Sequence, residues 1–149
     1  YVRYADIFSS GKASDKLVIE SVIKKNNRVI VDASTIKKKY LMRNYQFVIH
    51  NAKPLIDSVS DKSFKREFLL ILADSYFNTK QYAESALTYD SYLSLRGDIK
   101  LYPFILKRLG DCFWALKKPR QADIFYSELI KRYGSSKAAR VHLSSPKKK

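Results

Sequence analysis

Acidic residues are scarce in this chain. Fourteen Asp and Glu stand against 29 Lys and Arg in 149 residues, a net charge of +15. The few acids are scattered, so no pair of carboxylates is set up for acid–base catalysis. Cys112 is the sole cysteine, which excludes a disulfide framework and a cysteine-rich metal site. No His or Lys in its immediate setting, LGDCFWAL, would activate a thiol, and it reads as a small core residue. His50 and His142 lie far apart, and neither has a carboxylate or thiol at ligand spacing, so no metal and no cofactor are expected. Gly11-Lys12-Ala13-Ser14 imitates part of a phosphate loop but lacks the upstream glycine and a preceding strand, and reads as a turn. Long apolar runs are missing as well: stretches such as Phe68–Ala73 end well short of the roughly 18 residues a membrane span needs. No transmembrane segment is expected, although the charge leaves peripheral membrane association open. Together these absences point away from an enzyme.

With 46% hydrophobic and 29% charged residues, the chain should nevertheless fold. Its organisation shows in two stretches, 70–97 and 108–134, that can be laid over one another. Ala73 falls opposite Gly110, Tyr76 opposite Phe113, Ser85 opposite Ala122, Tyr89 opposite Tyr126 and Gly97 opposite Gly134, each pair 37 positions apart. A period of this length is the signature of stacked helical hairpins, in which each repeat buries its apolar face against its neighbours.

The fold class expected is therefore all-α, with stacked antiparallel helical hairpins and about six to eight helices. Residues 1–31 are expected to form an N-terminal helical cap or half-repeat, with a helix from Ser14-Asp15 to about Lys25 and, at 28–31, an extended connector or the first turn of the next helix. Residues 32–59 read as a degenerate hairpin. Ile36, Tyr40 and Leu41 share a face of its first helix, and Phe47 or Val48, Ala52, Leu55 and Ile56 share one in its second. Pro54 predicts a kink or restart there. Residues 62–97 form the first clear hairpin. Its helices are Lys62–Asn78, burying Phe64, Phe68, Leu72, Ser75 and Tyr76, and Tyr82 to about Leu95, burying Ala83, Ala86, Tyr89 and Leu93. Residues 99–134 form the second, with Pro103 in the opening turn of one helix, Pro119 at the start of the other, and Ala122, Phe125 or Tyr126, and Leu129 buried. Gly97 and Gly134 are expected to stop their helices. Residues 135–149 should give a short helix and a disordered basic tail.

The two aligned stretches resemble tetratricopeptide repeats. Leu69, Leu72-Ala73, Tyr76, Ser85, Tyr89 and Gly97 supply the pattern once; Leu106, Leu109-Gly110, Phe113, Ala122, Tyr126 and Gly134 supply it again. Tyr92 and Leu129 stand where the family favours a small residue, and Gly97 and Gly134 where it favours proline. The ending SELIKRYGSSKAAR is similar to that of bacterial envelope repeats, in outer-membrane-assembly lipoproteins and Tol-Pal-associated coordinator proteins. The resemblance implies a concave groove lined by the first helix of each hairpin. Carried over position by position, it offers Glu67, Leu70, Asp74, Phe77 and Asn78, then Phe104, Lys107, Asp111, Trp114 and Ala115, with Phe77 and Trp114 equivalent.

A non-enzymatic protein-binding scaffold, in the periplasm or cell envelope, is the function the resemblance implies; a cytoplasmic location is the alternative. The chain opens on Tyr1, which predicts a longer precursor. The charge would suit an acidic protein partner, an anionic surface or nucleic acid, and an AT-rich genome would also inflate lysine. Two other readings remain: a basic helical repeat that binds nucleic acid, and a structural subunit of a larger assembly.

Overall fold

The computed structural model describes residues 30–144. The helix and cap expected before residue 30, and the basic tail at 145–149, lie outside the described residues. Among the described residues every regular element is helical. The α-helices are α1 (Ala33–Leu41), α2 (Tyr45–Ser58), α3 (Lys62–Asn78), α4 (Tyr82–Ser94), α5 (Tyr102–Ala115), α6 (Pro119–Tyr133) and α7 (Lys137–Ser144), and a 3-10 turn, Ile99–Leu101, precedes α5. The chain is all-α and tetratricopeptide-like, as its repeat implies. It divides into two compact units, the first ending at Gln81 and the second starting at Tyr82, a border inside the expected 62–97 hairpin.

In the first unit, α1 and α2 form a hairpin, and α2 also packs along α3. Asp32 starts α1 by accepting the Thr35 N–H at 2.8 Å, Asn44 starts α2 by accepting that of Phe47 at 3.2 Å, and Asp61 starts α3 by accepting that of Ser63 at 2.9 Å. Each cap satisfies an orphan donor and contributes about 1 kcal/mol. Ile36 and Tyr40 are buried as their spacing predicts, whereas Leu41 is 59% exposed. It lies 100° around the helix from Tyr40, which places it beyond the buried stripe. Val48, Ala52, Leu55 and Ile56 form the inner stripe of α2. Pro54 is exposed within that helix, which runs unbroken to Ser58, so no restart occurs. α3 is the most buried helix, with Phe64 and Phe68 stacked at 4.6 Å.

In the second unit, α5 packs against α4 on one side and most extensively against α6, while α7 covers both α5 and α6. Tyr89 and Tyr92 are the bulkiest buried residues of α4; Ala83, expected inside, is exposed. α5 begins at Tyr102 rather than Ile99, because Asp98 accepts the Lys100 N–H and folds the three residues before it into the 3-10 turn. Pro103 and Pro119 sit in first helical turns, where a missing N–H costs nothing.

α4 ends just before Arg96-Gly97 and α6 stops at Gly134, as expected, but the left-handed corners of the fold are made by other residues. Arg43, Lys80, Arg96 and Lys117 are left-handed, with φ of 60°, 62°, 51° and 63°, and no described glycine has a positive φ. Each follows a helix by two residues. The N–H groups of Asn44, Gln81 and Lys118 then reach back to carbonyls of Lys39, Tyr76 and Phe113, all at 2.9 Å, closing the ends. Arg96, not Gly97, makes the turn after α4. Gly134 keeps a helical φ of −58°. Gly97 is required for space, since a Cβ there would fall against the buried Tyr92 ring.

Candidate functional site

The candidate positions divide between the two units. On α3, Leu70 and Asp74 are buried, at 2% and 4% exposure, which leaves Glu67, Phe77 and Asn78 as the reachable members. Asp74 accepts a hydrogen bond from the Tyr40 hydroxyl of α1 at 2.6 Å. Glu67 pairs with Lys37 of α1 at 2.5 Å, and that same ammonium lies 5.7 Å from the Phe68 ring. Asn78 donates to the Asp74 carbonyl at 2.8 Å, so its amide is partly committed to its own helix. Phe77 is half-buried.

On α5 the arrangement starts from Gly110. A Cβ there would lie inside the contact distance of the Tyr126 ring, so the missing side chain is what lets α6 bring Tyr126 flat onto α5. The Tyr126 hydroxyl then reaches Asp111 and donates to Oδ1 at 2.5 Å, while Lys107 holds Oδ2 at 2.7 Å. Burial, and next the hydrogen bond to Asp111, push the Tyr126 phenol far above its ordinary range. The ring of His142, on α7, stacks on Tyr126 at 3.9 Å and 22°. Phe113 and Phe125 stack at 5.4 Å between α5 and α6. Cys112 is buried with a hydrogen bond to Ser85, and burial pushes its thiol up to about 11. A thiol held protonated at neutral pH is a poor nucleophile.

The outward positions of α5 are Phe104, Lys107, Asp111, Trp114 and Ala115. Arg108 places its guanidinium 5.0 Å from the centre of the Phe104 ring. Trp114 is 36% exposed, and Ala115 beside it is also exposed. The cations Lys117 and Lys118 follow in the next turn, both exposed. The α5 surface therefore combines one accessible indole with positive charge.

The family model of the tetratricopeptide repeat matches residues 108–136. The chain carries a tetratricopeptide-like repeat. No curated protein and no solved structure is significantly similar to it. The matched segment holds Gly110, Asp111, Trp114 and Tyr126 together. The sequence pattern picked out Gly110 and Tyr126 as repeat positions. It missed the hydrogen bonds of Tyr126 and Tyr40 to Asp111 and Asp74, two aspartates that occupy equivalent places in the repeat. The recurrence of an aspartate directly after the small residue was the signal that could have exposed them.

No helix among the described residues is long and apolar enough to cross a membrane. Among the same residues no cluster of His, Cys, Asp and Glu is arranged to hold a metal ion.

Proposed function

We propose that this chain is a non-catalytic adaptor that binds another protein through the exposed part of α5, with the exposed part of α3 as a separate candidate surface. The observation that carries this reading is the matched repeat at 108–136 with a 36% exposed tryptophan on its first helix. Tryptophan is highly buried on average, and aromatic anchors dominate the energetics of protein interfaces. Lys117 and Lys118 in the turn after it favour an acidic partner, which the net charge of +15 would draw in by long-range attraction. An envelope location is part of the proposal, supported by the likeness of the 127–140 segment to envelope repeats.

Binding of the isolated partner should weaken by roughly tenfold or more in Trp114→Ala, the loss typical of an interface anchor. Phe77→Ala tests the α3 surface separately. Retained affinity in both variants, with unfolding curves unchanged, would remove the assignment of these surfaces. The charge also supports nucleic-acid binding as a second reading. In that case affinity for a DNA or RNA oligomer falls steeply with salt yet survives at about 0.15 M. The buried state of Phe64, Phe68, Tyr89 and Tyr126 speaks against it, because base-stacking rings must be accessible.

A further inference from the structure

Among the described helices, α4 alone contains no Lys or Arg, in a chain that has 29 of them. Burial does not account for this. One side of α4 is open to solvent along its length, centred on Leu87 at 71% exposure and flanked by the exposed acids Glu84 and Asp90. An exposed face that carries acids and no bases is electrostatically suited to contact with positive charge.

The equivalent face on the next repeat has the opposite character. Thirty-seven residues after Leu87 stands Ile124 of α6, 66% exposed, with Arg120 one turn before it and Lys131 two turns after. The α6 acid nearest to Lys131, Glu128, is already paired with Arg132 at 2.5 Å, and Asp123 borders the face without reversing its sign. Among the described residues neither Glu84, Asp90, Arg120 nor Lys131 forms an ion pair within the chain. Both helices pack on α5 in one compact unit, so a single molecule displays two matching surfaces. Each has an aliphatic centre; one has an acidic rim and the other a basic rim.

We propose that these surfaces bind each other in a second copy of the chain, α4 of one copy on α6 of the other and reciprocally about a two-fold axis. A two-fold interface satisfies both complementary pairings at once, which a single molecule with its two faces side by side cannot do. Leu87 and Ile124 supply the dry centre, and the acid–base rims set the register. The proposal is independent of the adaptor reading, since it uses neither Phe77 nor Trp114.

Light scattering on the full chain tests it. The expected mass is twice 17.3 kDa at low ionic strength, with dissociation as salt screens the rims. Asp90→Lys and Lys131→Asp should each weaken self-association by about tenfold or more, the effect of placing like charges across both halves of the interface. Mixing these two variants should restore a dimer, because Lys at 90 then meets Asp at 131 and the native pair remains at the other end. Leu87→Glu should also yield a monomer of unchanged helicity. A wild-type mass of 17.3 kDa at every concentration, a dimer that survives both charge reversals, or variants that do not re-pair on mixing would each overturn the proposal.

Discussion

The Tyr126 hydroxyl donates to Asp111 at 2.5 Å while its ring covers Gly110, so one side chain both fills the gap between α5 and α6 and anchors a charge at the surface. The carboxylate is shared, with Lys107 on its second oxygen. A hydrogen bond to an ionised group contributes about 1.5–3 kcal/mol.

Tyr126→Phe should therefore lower the unfolding free energy by about 1.5–3 kcal/mol. Lys107 keeps Asp111 partly compensated, which places the expected loss toward the lower figure. Tyr40→Phe should cost more, since Asp74 is only 4% exposed. Urea titrations of the two variants measure the difference, and equal midpoints to the wild type would refute the role given to these hydroxyls.

At Gly110 two effects have opposite signs. Helix propensity alone would make Gly110→Ala stabilising by about 1 kcal/mol. The added methyl must displace a Tyr126 ring that is 4% exposed and held by Asp111 on one side and stacked against His142 on the other. Overpacking of this kind costs about 1–3 kcal/mol, so net destabilisation is expected in thermal or urea unfolding.

The left-handed basic residues make the opposite prediction. A non-glycine residue in that conformation costs about 1–2 kcal/mol, partly offset by the 0.3–1 kcal/mol that a cation gains at a helix C-terminus. Lys117→Gly should stabilise the chain by a few tenths to about 1 kcal/mol, and Lys80→Gly by a similar amount. A destabilising result in both would show that the cation outweighs the backbone strain.

Alkaline pH should weaken the fold. The Cys112 thiol rises from an ordinary 9.0 to about 11 because it is buried. Between those values the unfolded chain has released the proton and the native one has not. Stability contributed by the protonated thiol is thus complete below pH 9 and falls through the window up to 11, by an amount on the order of 2 kcal/mol. Tyr126 acts in the same direction at higher pH. Unfolding free energies at pH 8 and pH 10.5 test this, and Cys112→Ala should flatten the fall.

Helix positions were legible because periodicity and caps agreed: Lys62–Asn78 is read directly from Asp61 and the Phe64, Phe68, Leu72, Ser75 stripe. The left-handed corners were hidden. Glycine is the expected residue there, and Arg96 holds the place while Gly97 serves packing one residue later. Leu41 and Ala83 misled because an apolar residue beside a buried stripe need not join it. The exposure of Trp114 agrees with the outward repeat position assigned to it, but the commitment of Asp74 to Tyr40 was not legible. That pair joins residues 34 positions apart and belongs to the packing of α1 on α3, which no local pattern encodes.

The stack of His142 on Tyr126 means that the matched repeat is not self-sufficient. Its borders at 108 and 136 stop just before α7. A polypeptide cut there would keep Gly110, Asp111 and Tyr126 but open one face of the tyrosine ring to water, loosening the grip on the carboxylate that braces the tryptophan-bearing helix. In this chain the closing helix is thus part of the repeat's foundation, and grafting the repeat into another scaffold would require carrying residues 137–144 along with it.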